Sequence, residues 1–147
     1  MIVLDTTVLV YATGSDHPLR EPCRRIVDAV ANAALAATTT VEVIQEFTHV
    51  RARRIDRVDA SRLAGSLTDL LAPLLPVSET ALRRGLQIYA GATGLGTFDA
   101  VLAAATIAAG GAALVSADHA FAEVTGLRHV VPDADGVSSL LPASLAP

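Results

Sequence analysis

Asp5, Glu46, Asp99 and Asp118 are scattered over most of the chain, yet each falls just beyond an apolar run or early in a helical pattern. Asp5 directly follows the run at 1–4, and Asp118 follows AALVS by two residues. Glu46 lies about two turns into a helix that begins where a second apolar run ends. Asp99 sits in the first turn of an Ala-rich helix. Four carboxylates brought together repel one another and are costly without a counter-cation. Hard divalent ions such as Mg²⁺ or Mn²⁺ prefer such oxygen ligands. An ion held this way can polarise a phosphodiester, acidify an attacking water and steady the leaving oxygen. Singly, each acid also has an ordinary reading: Asp5 as a helix cap, Asp99 as a partner of a helix dipole, Glu46 as a solvated side chain, Asp118 as a turn residue. The weight lies in all four reaching one edge. Glu42, one helical turn before Glu46, reads as a supporting or capping acid.

The elements that must place these acids alternate between short apolar runs and helical patterns. Strands are expected at 1–4, 35–39, 112–116 and 128–131, with a short one between Pro73 and Pro76. Helices are expected at 6–13 and at 19–33, the latter from the spacing of Leu19, Cys23, Val27 and Val30. Another, capped by Thr40, runs to about Arg53. Asp59 is expected to cap a helix with Leu63, Leu67 and Leu70 inward, and Ser78 one carrying Leu82, Leu86 and Tyr89. A glycine-rich loop at 91–96 leads to a helix capped by Thr97 and ended by Gly110 and Gly111. Strands alternating with helices imply an α/β fold, with helices on both faces of a mostly parallel sheet. In such sheets ligands bind beyond the carboxyl ends of the strands, where all four acids fall. Residues 1–131 read as one domain, and 132–147 as a loosely held tail.

Composition narrows the field. The chain has 147 residues, 52% of them hydrophobic, enough for one core without staples. Cys23 is the only cysteine, so no internal disulfide forms and a reducing compartment is natural. No secretory leader or membrane span is legible, which gives an expected cytoplasmic location. The net charge of −4 excludes a protein that grips nucleic acid by bulk charge. All 11 basic residues are arginine, and Arg51, Arg53, Arg54 and Arg57 form the densest patch. Arg51, Arg53 and Arg54 are candidate contacts for a nucleic-acid backbone, because the guanidinium fork suits phosphate. With three Phe, two Tyr and no Trp, base stacking cannot dominate recognition. His17, His49, His119 and His129 show no metal-ligand spacing.

Taken together, the motifs resemble those of PIN domains. IVLDTTVLV is similar to their first strand and turn, TTTVEVIQEF to the second motif, GTFDAVLAAAT to the third, and LVSADHAF to the fourth. The second motif places a Ser or Thr six residues before its acid, which selects Glu46 over Glu42. Ala120 stands where the fourth motif often has a second Asp, and Ser116 where Thr is common. Size and layout resemble the VapC-type toxins of VapBC toxin–antitoxin pairs. The resemblance implies a PIN-like three-layer α/β/α sandwich. It implies Mg²⁺- or Mn²⁺-dependent endonuclease cleavage of RNA, with tRNA or ribosomal RNA as usual targets. A homodimer and a cognate VapB-type antitoxin are implied as well. Thr6 and Ser116 are candidate supports for the site.

Two other classes remain in view. An aspartate-dependent phosphoryl-transfer protein would also place an Asp after the first strand. Thr7 stands where a phosphatase would carry its second acid, and a response regulator's late lysine has no counterpart here. A non-catalytic PIN-like binding module would not need all four acids.

Overall fold

The computed structural model describes residues 1–91 and 94–141. Its centre is a four-stranded sheet of β1 (Ile2–Leu4), β2 (Ala37–Thr38), β3 (Leu114–Val115) and β4 (His129–Val130). The strand order is β2-β1-β3-β4 and every pairing is parallel. Val3 pairs with Thr38 on one side and Leu114 on the other, so the strands end at nearly one level. The central strands have no polar face because both faces are covered: Val3, Leu4, Leu114 and Val115 are fully buried.

The helices are α1 (Thr6–Thr13), α2 (Arg20–Ala31), α3 (Val41–Arg54), α4 (Arg57–Leu71), α5 (Glu79–Gly91), α6 (Thr97–Ala108) and α7 (Ala134–Leu140). α1 to α4 pack as one group with α7, and α5 pairs with α6, giving the expected three-layer α/β/α arrangement. No helix among the described residues is long and apolar enough to cross a membrane.

Capping explains several boundaries. The Asp5 carboxylate accepts from Thr7 N–H at the start of α1, and Thr40 Oγ1 accepts from Val43 N–H at the start of α3. Ser78 accepts from Ala81 N–H and opens α5. Gly110 adopts φ +64° after α6, and Gly111 N–H returns to Thr106 O, closing that helix as the glycine pair suggested.

Other expectations are corrected. Asp56, not Asp59, caps α4; its carboxylate accepts from Asp59 N–H, and Asp59 instead binds arginines. Thr97 is already helical and Gly96 takes the cap position without a side-chain bond. The strand expected between Pro73 and Pro76 is a single bridge, Thr40 to Leu75. In α4 the inward residues are Ala60, Ala64, Leu67 and Leu71, which leaves Leu63 and Leu70 only half-buried. Within the stretch read as a tail, α7 forms under an Asp133 cap and buries Val137 completely. Its short apolar pattern, diluted by serines and a glycine, gave too little periodicity to read. Residues 142–147 of that tail, and 92–93 of the glycine-rich loop, lie outside the described residues.

Candidate active site

The parallel register brings the ends of β1 and β3 side by side, and with them Asp5 and Ser116. Asp5 is only 4% exposed. Its Oδ2 accepts three hydrogen bonds: from Ser116 Oγ at 2.8 Å, Thr7 Oγ1 at 2.6 Å and Thr7 N at 3.2 Å. Those hydroxyls are themselves fixed. Thr7 Oγ1 accepts from Ala117 N–H at 3.0 Å, and Ser116 Oγ accepts from Asp118 N–H at 3.0 Å. From below, His129 Nε2 donates to Ser116 O at 2.9 Å. Three bonds on one oxygen set the carboxylate plane and leave Oδ1 as its unengaged oxygen among the described residues.

The other acids stand on helices and turns. Glu46 is exposed on α3, and its Oε2 accepts from Thr6 Oγ1 at 2.6 Å. Asp118 is exposed at the start of a short 3₁₀ turn, His119–Glu123, and its Oδ1 accepts from Ala120 N–H at 2.9 Å. Asp99 is half-buried in the first turn of α6. Its carboxyl is pushed up to about 6, first by burial and then by the charges of Asp5, Asp118 and Glu46, against a lowering hydrogen bond from the Gly96 backbone.

All four acids line one cavity of about 310 Å³ together with Thr6 and Thr7. The sequence-expected set is therefore brought together. As it stands, no group of three or more acidic, histidine or cysteine side chains among the described residues is drawn into a metal-holding arrangement. Like charges spread around a cavity while each oxygen that can find a hydroxyl or amide donor takes it. A second cavity of about 400 Å³ shares Asp5, Glu46 and Asp99; its walls are mainly apolar, with Leu82, Phe98 and Val101, and Glu42 and Glu79 also line it. Glu42 is not among the charges that raise Asp99.

Some assignments shift. Arg51 is not free for RNA: its guanidinium binds Asp59 and also donates to Thr13 O at 2.8 Å, tying α1, α3 and α4 together. Those bonds from Arg51, with others from Arg62, hold the Asp59 carboxyl below the usual range. Arg53 and Arg54 are exposed. Cys23 is buried, which pushes its thiol up to about 12 and keeps it neutral. Thr7 was missed as a site residue; the signal was the Thr6-Thr7 doublet, in which one hydroxyl serves Glu46 and the next serves Asp5.

Comparison with known proteins identifies the family. Residues 2–127 match the PIN-domain family. Ribonuclease VapC7 of Mycobacterium tuberculosis is 55% identical over 142 residues, covering 96% of this chain and 98% of that protein. Ribonuclease VapC23 of the same species is 31% identical over 101 residues, covering 67% and 78%. Among solved structures, VapBC2 from Rickettsia felis, bound to a DNA fragment from its promoter, aligns with TM-score 0.67 at 15% identity, over 89% of this chain and 98% of that one. That last likeness is one of fold alone. By family match and by identity over nearly its whole length, the chain belongs to the PIN-domain family, among the VapC ribonucleases.

Proposed function

We propose that this chain is the toxin of a toxin–antitoxin pair, a metal-dependent endoribonuclease whose Asp5, Glu46, Asp99 and Asp118 hold Mg²⁺ or Mn²⁺. The observation that carries this is the convergence of four carboxylates from distant parts of the chain on one cavity, where burial and the three neighbouring charges push Asp99 upward, an arrangement that costs stability unless a cation offsets it. The donor set is all oxygen, which fits hard divalent ions and offers nothing to softer ones. When bound, the ion supplies Lewis acidity for hydrolysis of a phosphodiester. The chain's own residues do the positioning. Ser116 and Thr7 fix Asp5 with Oδ1 free, and Thr6 steers Glu46 from the opposite wall. Glu42 acts as a supporting acid at the mouth of the apolar cavity.

The RNA, a tRNA or ribosomal RNA, approaches past Arg53 and Arg54 on α3. The partner is a cognate VapB-type antitoxin. The larger cavity supports this, because apolar walls rimmed by carboxylates suit a protein segment carrying an apolar side chain beside a cation. A homodimer belongs to the same reading, and the exposed stripe of Leu82, Leu86 and Tyr89 on α5 is the apolar surface that supports it. The test is Mn²⁺ calorimetry beside RNA cleavage with and without EDTA. We expect binding in the parent, and loss of both binding and cleavage in a folded Asp99→Asn variant. Cleavage that survives EDTA would overturn the metal-dependent reading.

A further inference from the structure

We infer that Arg54 and Tyr11 seat one nucleotide flanking the cut, with Arg54 holding its phosphate and Tyr11 stacking its base. This rests on the reading of the four acids as an RNA-cleaving centre. Glu46, Val50 and Arg54 recur at every fourth residue of α3, and all three line the four-acid cavity. The cavity is thus a groove between α1 and α3, with acids at one end and Arg54 at the other. Along α3 the eight residues from Glu46 to Arg54 rise about 12 Å. Arg54 therefore stands two turns of α3 beyond Glu46, a placement that suits a phosphate next to the one the acids would cut. It is exposed, and among the described residues it has no ion pair and no other basic residue lines this cavity. Arg51, one turn back on α3, is committed to Asp59 and Thr13, and Arg53 lines a different cavity with His49 and Arg57.

Tyr11 lines the same groove from α1. Its ring stacks on His17 with centroids 4.1 Å apart and planes 13° from parallel. His17 is braced in turn, since its Nδ1 accepts from Leu19 N–H at 3.1 Å. A tyrosine backed this way loses little freedom when a base stacks on it, and stacking serves any base sequence. Phosphate fork and aromatic platform together give a net-acidic protein a local grip that bulk charge cannot provide.

The probe is a fluorescein-labelled single-stranded RNA of mixed sequence, bound to the uncut Asp99→Asn background and followed by anisotropy from low to moderate salt. Arg54→Ala should weaken binding about tenfold and lower the slope of log K against log salt by about 0.7, the share of one phosphate contact on a single strand. Arg84→Ala, which removes an exposed charge on α5, should leave the slope unchanged. Tyr11→Leu should weaken binding about tenfold with the slope intact. Because Tyr11 is half-buried and that variant can lose stability, a second measurement uses Tyr89→Phe, in which Tyr11 is the sole tyrosine and the chain has no Trp. RNA should then quench the remaining emission. An unchanged salt slope in Arg54→Ala, or tyrosine emission that RNA leaves untouched, would overturn the inference. RNA binding that is intact in the variants while antitoxin binding weakens would do the same, and would hand the pair to the protein partner. A parent chain that neither binds nor cuts RNA overturns the functional reading along with this one; a parent that cuts while the variants bind like it overturns this one alone.

Discussion

The two walls of the acidic cavity are built differently. On the strand wall, Asp5 is buried and three hydrogen bonds converge on one of its oxygens, from donors that backbone amides hold in turn. On the helix wall Glu46 is exposed, as is Asp118 in the turn beyond β3, and among the described residues one hydrogen bond reaches each carboxylate. A rigid wall sets where a ligand must sit, and a looser one can close on whatever arrives. The difference follows from topology: neighbouring parallel strands end within bonding distance of each other, whereas acids on a helix, or on the turn beyond a strand, must reach inward to the cavity.

Replacing the acids probes that contrast most strongly. Asp5→Asn should lower kcat by on the order of 10²–10³ or more, because the buried carboxylate that would hold the cation loses its charge, and with the ion goes the stabilisation of the developing charge. Glu46→Gln should cost less, roughly 10- to 100-fold, since water can replace an exposed ligand. Single-turnover cleavage of a defined RNA measures both. If Glu46→Gln proves the more damaging of the two, the strand wall is not the anchor.

The supporting hydroxyls sharpen the point. Ser116→Ala and Thr7→Val should each reduce cleavage about tenfold. The double variant should fall well short of the product, because both hydroxyls orient the same Asp5 oxygen. Full additivity in a double-mutant cycle would mean that they act separately. Thr6→Val removes the hydrogen bond from Thr6 to Glu46 and should cost only about threefold.

The strand wall was also the more legible one. Asp5 and Ser116 could be placed from sequence because short apolar runs end abruptly and parallel pairing leaves few registers. Facing on the helices was harder to read. Leu82, Leu86 and Tyr89 form the obvious apolar stripe of α5, yet all three are exposed. Ala81 and Gly85 point inward instead, because α6 comes so close that a Cβ on Gly85 would stand 2.6 Å from Val101 Cα. Hydrophobic size pointed one way and interhelical distance decided the other, and no sequence pattern states that distance. The same limit hid Arg51, whose role depends on where α4 lies against α3, and the split of work between Thr6 and Thr7.

The smallest expected effect concerns stability. Asp99 is raised from its ordinary 3.8 to about 6 in the folded chain, so between those values the native state holds more protons than the unfolded state. Stability conferred by the protonated acid is complete below about pH 4 and is lost as pH rises through 6. Metal-free protein should therefore lose stability from this group between pH 4 and pH 6.5. Asp99→Asn should be the more stable protein at pH 7.5 by on the order of 1 kcal/mol, allowing for solvent screening of a half-exposed group, or about 3 °C in Tm. Mn²⁺ should reverse the order, since the parent gains a ligand-binding term that the variant lacks. Thermal scans in EDTA and in Mn²⁺ read both signs. A variant less stable than the parent in EDTA would mean that Asp99 is held by its Gly96 hydrogen bond more than it is repelled by its neighbours, and the helix wall would then be no looser than the strand wall.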